Sequence, residues 1–184
     1  MADRYLLLGT PLGLSPPDLL LQRVAGEEAL SRPFRFVLGF WATKTDIAGK
    51  DLISQPVTVT VTTSEGNQRY LNGIVGNLEA GALDGRGRRF YQAEMVPKLQ
   101  LLAEVSNCRI FQKMATPDIV EQILNEQGVA FSANLTGTYN PREYCVQYRE
   151  SDLDFIARLL EDEGIFYYFQ HTASAHTLVL ADAN

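Results

Sequence analysis

The stretch PREYCVQYRESDLDFIARLLEDEGIFYYFQH, residues 141–171, reads as strand, helix, strand. Ser151 is a good helix N-cap, and Asp154 sits at the third helical position, as in a weak capping box. Leu153, Ile156, Ala157 and Leu160 recur at the spacing of one helical face, and Phe155 and Leu159 widen that stripe. Asp154, Arg158, Glu161 and Asp162 fall on the opposite side, where Arg158 can reach Asp154 and Asp162 at four-residue spacing. Gly164 ends the helix, because a C′ residue can turn left-handed. Ile165-Phe166-Tyr167-Tyr168-Phe169 follows, a run of β-formers without a polar break. Such a run is either a strand buried on both faces or one whose second face meets another surface.

Working outward, the chain before this unit is rich in strand signals. Arg4 to Gly9 is a short apolar strand, and Leu19 to Val24 reads as a strand, with a helix as the alternative, ended by Gly26. Phe34, Phe36, Leu38 and Phe40 alternate with Arg35, Val37, Gly39 and Trp41, a period of two with one aromatic face. Ile47 to Ser54 is a candidate helical turn. Val57, Val59 and Val61 alternate with threonines, and Glu65-Gly66-Asn67 is a hairpin turn. Tyr70 to Leu78 returns with Gly73 and Gly76 inside it, and interior glycines suggest a bulge or bend. Gly81 to Gly87 is a second hairpin loop before the strand Phe90 to Val96. The first half is therefore expected to be a small barrel. Lys98 to Ala103 is ambiguous, and a strand is expected around Arg109 to Phe111. A helix begins at Thr116, read as the N-cap with Pro117 first inside it, and ends at Gly128. Val129 to Phe131 and His176 to Leu180 are further strands.

Composition limits the chemistry. The chain has 184 residues and a formal charge of −6. That balance argues against a nucleic-acid partner, whose binding depends on Lys/Arg neutralisation of phosphates. Arg86, Arg88 and Arg89 read as a solvated hairpin tip. Cys108 and Cys145 lack ligand spacing and read as two free thiols in apolar strand surroundings. His171 and His176 flank a short turn and read as a solvated pair; no metal is expected on them. Glu161, Asp162 and Glu163 point about 100° apart on a helix and cannot converge on a substrate. No phosphate-cradling loop is present. The N-terminus, Met1-Ala2-Asp3-Arg4, has no signal-peptide pattern, and no run is long enough for a membrane anchor. Catalytic residues, cofactor and metal are all expected to be none.

The strings Asn107-Cys108-Arg109-Ile110-Phe111-Gln112, 141–171 and His176-Thr177-Leu178-Val179-Leu180-Ala181-Asp182 resemble the hub region of the VgrG spike proteins of the type VI secretion system. That fold is shared with contractile-phage tail-hub proteins. Ser31-Arg32-Pro33-Phe34 and Gly73-Ile74-Val75 match more loosely, and Asn107 stands where the family leads one to expect Asp. The resemblance implies an α+β, mostly β protein with two packed β-barrel-like hub domains, residues 1–97 and 98–184, the second with two helices. It implies a non-catalytic structural hub that forms a trimer and presents a pseudo-six-fold ring to the Hcp tube. Baseplate components and effector or adaptor proteins are the other implied partners. Assembly in the bacterial cytoplasm followed by secretion without a signal peptide is implied as well, and the chain reads as a truncated part of a longer protein. Ile165, Phe166, Tyr167, Tyr168 and Phe169 become the candidate subunit contact, because membership of a trimer favours the reading in which one face of that run meets another surface. The competing readings are a phage-tail glycan hydrolase, which requires two facing carboxylates with one raised pKa, and a carbohydrate-binding module, which requires a row of exposed aromatics.

Overall fold

The computed structural model describes residues 5–183. The expectations for Met1 to Arg4 and for Asn184 fall outside these residues. The described strands are β1 (Leu6–Gly9), β2 (Leu19–Ala29), β3 (Arg32–Ala42), β4 (Pro56–Thr62), β5 (Gln68–Leu83), β6 (Arg89–Val96), β7 (Ser106–Phe111), β8 (Phe131–Asn134), β9 (Cys145–Ser151), β10 (Phe166–His171) and β11 (His176–Ala181). The helices are α1 (Gly49–Leu52), α2 (Thr116–Glu126) and α3 (Asp152–Asp162), and Lys98–Glu104 forms a 3-10 helix. The fold is α+β and mostly β. The residues divide into two compact units that are not contiguous in sequence. The first runs to Glu28, resumes over Phe34–Pro97 and includes His171–His176; the second takes Ala29–Pro33, Lys98–Gln170 and the chain from Thr177.

The first unit is built on one six-stranded sheet in the order β1-β4-β5-β6-β3-β2, curled into a half-barrel. The alternation in β3 does what the period of two dictates: Phe34, Phe36, Leu38 and Phe40 are all buried. Phe40 pairs with Tyr91 of β6 and stacks on it at 5.5 Å between centroids. Tyr91 can be wholly buried because its hydroxyl accepts from Ile47 N (3.1 Å) and donates to Lys44 O (3.2 Å). Val57 and Val59 of β4 complete this side of the core.

Glycines in these strands serve different ends. Gly76 marks a register shift between Val75 and Asn77, the expected bulge. Gly73 keeps regular pairing with Val57; a side chain there would lie 2.6 Å from Met95 Cγ and 2.8 Å from Val96 O. Gly26 does not end β2, which continues to Ala29. A Cβ on Gly26 would fall 2.1 Å from Arg35 O, so the residue is a point of close backbone approach to β3. Gly81 lies inside β5, and the loop before β6 is shorter than the sequence suggests. Asp84 closes it, accepting from Arg86 N and Arg88 N and pairing with the Arg88 guanidinium at 2.6 Å. Arg88 also lies 5.7 Å from the Trp41 ring. This arginine is thus tied down rather than freely solvated.

His171 and His176 are not a solvated pair. The His171 side chain is 8% exposed. Its Nδ1 lies 2.9 Å from Asn72 N and its Nε2 lies 2.8 Å from Glu28 Oε1. His176 Nδ1 lies 2.9 Å from Asn72 Oδ1. The buried Asn72 of β5 offers both backbone and side-chain groups, and these hold the two rings more favourably than leaving Asn72 unsatisfied.

The second unit packs α2 and α3 over a core that includes Phe111, Ile119, Ile123, Phe155, Leu159 and Leu180. Each such side chain removed from water contributes about 1.5–3 kcal/mol. Two small sheets accompany the helices, β10-β11-β8 and the ribbon β7-β9. β8 runs parallel to β11, with Phe131 opposite Leu178. It begins at Phe131, two residues later than Val129, because Val129 is used to close α2. Both helices end in the same way. Val129 N donates to Leu124 O and Gly128 N to Asn125 O; Ile165 N donates to Leu160 O and Gly164 N to Glu161 O. Gly128 (φ 63°) and Gly164 (φ 70°) supply the left-handed residue that this pair of bonds requires. At the start of α3 the Ser151 hydroxyl accepts from Asp154 N at 3.0 Å, as expected of the cap. At the start of α2 the cap is Ala115, not Thr116. The Thr116 hydroxyl is committed elsewhere: it accepts from Arg142 Nε and donates to Glu163 Oε1, both at 3.0 Å.

Candidate functional site

The geometry of the second unit is set by one buried carboxylate. Asp152, the first residue of α3, is 0% exposed. Its Oδ1 accepts from Gln147 Nε2 (2.7 Å), Asn107 Nδ2 (3.0 Å) and the Arg109 guanidinium, and its backbone N–H donates to Val105 O at 2.8 Å. Burial pushes the Asp152 carboxyl up, but the bonds from Gln147, Asn107 and Arg109 outweigh it and hold the group below its ordinary value. Arg109 also pairs with Glu126 of α2 at 2.7 Å. Asn107, at the position where an acid was expected, is a donor here. An Asp would set a second carboxylate against Asp152.

This network sets polar side chains on the inner face of the β7–β9 ribbon, beside the buried Phe111 and Cys145. Gln147 and Arg109 face inward to serve Asp152. Side chains alternate across a strand, so the intervening positions must face outward. Ile110 pairs with Val146 and Cys108 with Tyr148 on that outer face. Ile110 is 59% exposed, Tyr148 65%, Val146 38% and neighbouring Tyr144 57%. Cys108 is exposed with them, contrary to the apolar surroundings expected for it, while Cys145 is buried. The register slips between Asn107 and Cys108, and Arg149 takes up the extra residue at φ 52° with its guanidinium 5.2 Å from the Tyr148 ring. Arg158 does not pair along its own helix. It reaches Glu150 of β9 at 2.7 Å, because that carboxylate sits across the helix–strand junction.

The candidate contact residues occupy the opposite situation. Ile165 and Tyr167 are 3% exposed, while Phe166, Tyr168 and Phe169 are half-buried. β10 forms the edge of its sheet, and the Tyr167 carbonyl accepts from Ser31 N at 2.8 Å. Ser31 lies in the left-handed region at φ 55°. Beside this bond lies a groove of about 460 Å³, with Leu160, Ile165 and Tyr167 along it and Leu30, Arg32 and Glu161 also in its lining. Burial pushes the Tyr167 hydroxyl up to about 12. Sequence reasoning found neither the ribbon face nor the groove.

At the end of β11, Asp182 accepts from Thr136 N, Gly137 N (2.7 Å) and the Tyr139 hydroxyl (2.7 Å), which holds its carboxyl well below the usual range. Asp84, Asp152 and Asp182 are thus all shifted downward by the hydrogen bonds they accept. Among the described residues no three His, Cys, Asp or Glu side chains are placed to hold a metal ion, and no helix is long and apolar enough to cross a membrane.

The mostly-β α+β fold with its curled half-barrel sheet is the hub fold of phage tail proteins. The chain belongs to the phage tail baseplate hub (GPD) family, whose model matches residues 27–184. It is 39% identical over 181 residues to the type VI secretion system spike protein VgrG1b of Pseudomonas aeruginosa, covering 98% of this chain and 24% of that protein. The chain thus spans about a quarter of that relative's length. Among solved structures, the E. coli c3393 protein, a component of the type VI secretion system described as structurally similar to the T4 tail proteins gp27 and gp5, superposes with a TM-score of 0.82. It is 29% identical, over 95% of this chain and 48% of that one. The 43 kDa tail protein of prophage MuSo2 from Shewanella oneidensis has the same fold, with a TM-score of 0.65 at 15% identity over 97% of this chain and 55% of that one.

Proposed function

We propose that this chain is the hub portion of a type VI secretion puncturing spike, and that residues 1–97 and 98–184 correspond to its two hub domains. Three copies close a pseudo-six-fold ring that docks on the Hcp tube and helps deliver effectors. The ring works through shape and stiffness and carries out no reaction. Assembly takes place in the cytoplasm, and export follows without a signal peptide. The observation that carries this reading is the hub-family match over residues 27–184, to which the likeness to a type VI secretion component adds.

The copies meet through the outer face of the β7–β9 ribbon, with the half-buried Phe166, Tyr168 and Phe169 of the candidate strand as a second contributor. A closed ring uses two different patches on each subunit. Exposed tyrosines such as Tyr144 and Tyr148 are of the type enriched in such contacts, whose buried core is apolar. Native mass measurement at micromolar concentration, made on this chain and on a longer polypeptide that continues into the spike, tests the reading. A trimer of the longer polypeptide is expected. A longer polypeptide that stays monomeric contradicts it.

A further inference from the structure

β5 outruns one of its neighbours. It pairs with β4 from Gln68 onward, but its pairing with β6 begins only at Ile74. Alternate residues of an antiparallel strand turn their N–H and C=O away from one partner. At Asn72 both groups turn to the ring of His171 instead of a strand. The ring's Nδ1 lies 2.9 Å from Asn72 N and 3.0 Å from Asn72 O, and its Nε2 lies 2.8 Å from Glu28 Oε1. One nitrogen cannot serve both main-chain groups at once. A bare Nδ1 accepts from the amide, whereas an Nδ1–H donates to the carbonyl. Glu28 selects between them when the ring is neutral. An ionised carboxylate only accepts, so Nε2 must carry the proton and Nδ1 is bare. The neutral ring therefore takes the Asn72 amide. The cation carries a proton on both nitrogens, so its Nδ1 takes the carbonyl and leaves the amide unmatched.

We propose that His171 is a proton-operated switch on β5: proton uptake exchanges its hold on the Asn72 amide for a hold on the Asn72 carbonyl. Imidazole is the side chain whose charge changes in the neutral range. The ring is nearly enclosed, 8% exposed, with the Phe34 ring of β3 at 5.0 Å between centroids. The titratable and charged groups set against it come from three strands. Glu28 stands on β2, with Arg69 of β5 3.7 Å from its second oxygen, and His176 of β11 lies 6.4 Å away between ring centroids. His176 does not operate the switch. Its Nδ1–H donates to Asn72 Oδ1 (2.9 Å), Asn72 Nδ2 donates to Thr58 Oγ1 (2.7 Å), and the Thr58 hydroxyl donates to Ala173 O (3.2 Å). Every donor in that relay keeps its proton when either ring becomes charged. The Asn72 side chain thus holds the 172–175 turn in both states, while its main chain changes partner. The switch does not depend on how many copies form the hub.

NMR titration of the full isotope-labelled chain from about pH 8 to about pH 5 tests it, following the ring nitrogens of both histidines and the Asn72 amide. At the alkaline end the His171 ring should carry its proton on Nε2, and the Asn72 amide proton should show a hydrogen-bond coupling to Nδ1. As the ring takes up its second proton, that coupling should vanish and the amide should lose severalfold of its protection against hydrogen exchange. Glu28→Gln replaces an obligatory acceptor with an amide that both donates and accepts, so its neutral His171 ring should populate the Nδ1–H tautomer as well. A neutral ring protonated on Nδ1 in the unmodified chain overturns the proposal. So does a His171 ring that stays neutral throughout, or an Asn72 amide that is unchanged when His171 titrates or that follows His176 instead. A folded Glu28→Gln variant still confined to Nε2–H overturns it too, because Glu28 then does not select the tautomer. If that variant fails to fold, the spectra of the unmodified chain decide alone.

Discussion

Two strand regions of the second unit reverse what their sequences suggest. Ile165 to Phe169 is an unbroken apolar run, yet Ile165 and Tyr167 turn inward and Phe166, Tyr168 and Phe169 are half-buried. The β7–β9 ribbon mixes polar and apolar residues evenly, yet it exposes Ile110, Val146 and Tyr148 while Gln147 is 0% exposed. The difference lies in what each strand packs against. β10 covers helix side chains, so its apolar positions are drawn in. The ribbon covers Asp152, which needs donors, so Gln147 and Arg109 are drawn in beside Phe111 and Cys145, and Ile110, Val146 and Tyr148 fall on the outer face. A buried charge can thus decide which face of a strand becomes available for a partner.

Removing that charge is the strongest way to break the contrast. Asp152→Ala strands the Arg109, Gln147 and Asn107 donors and should cost about 3–5 kcal/mol in urea unfolding. A loss below 1 kcal/mol would mean the network does not dictate the ribbon's orientation. The same group gives a pH signature. Its folded pKa lies below the unfolded value of about 3.9, so its contribution is present above that value and disappears as pH falls through the lower folded pKa. Asp152→Asn should therefore be less stable than the unmodified chain at neutral pH, and the two should converge below about pH 4. A gap independent of pH rules out the carboxylate as its source.

Smaller effects separate the two strands directly. Ile165→Ala removes a buried side chain that closes α3 and should destabilise by about 2–5 kcal/mol. Val146→Ser and Tyr148→Ser lie on the exposed face and should each stay within about 0.5 kcal/mol of the unmodified chain. Thermal or urea melts of the three variants check this ordering. A large loss from Tyr148→Ser would mean that the ribbon's outer face is covered within the chain.

Much of the architecture was legible where a local pattern has one meaning. Ser151 caps α3, Gly128 and Gly164 end helices, and Phe34 to Phe40 alternate into the core, because caps, left-handed residues and strand periodicity act over a few residues. What was missed depended on distant partners. A period of two in Cys145 to Tyr148 says that there are two faces but not which one is inside; Asp152 decides that through the fold. Thr116 has the right chemistry for a cap, but Arg142 and Glu163 claim its hydroxyl. Arg158 has acids at helical spacing and still selects Glu150. The groove joins Leu30–Arg32 to Leu160–Tyr167, far apart in sequence and without a motif in either. The histidines read as solvated because nothing near them in sequence announces Asn72 and Glu28.

The most direct measurement is native mass of a longer polypeptide containing this region, with and without Ile110→Ser, Val146→Ser and Tyr148→Ser combined. The account predicts a trimer for the unmodified protein and folded, unassembled subunits for the triple variant. A triple variant that assembles as the unmodified protein does would contradict the claim that the outward ribbon is where copies meet.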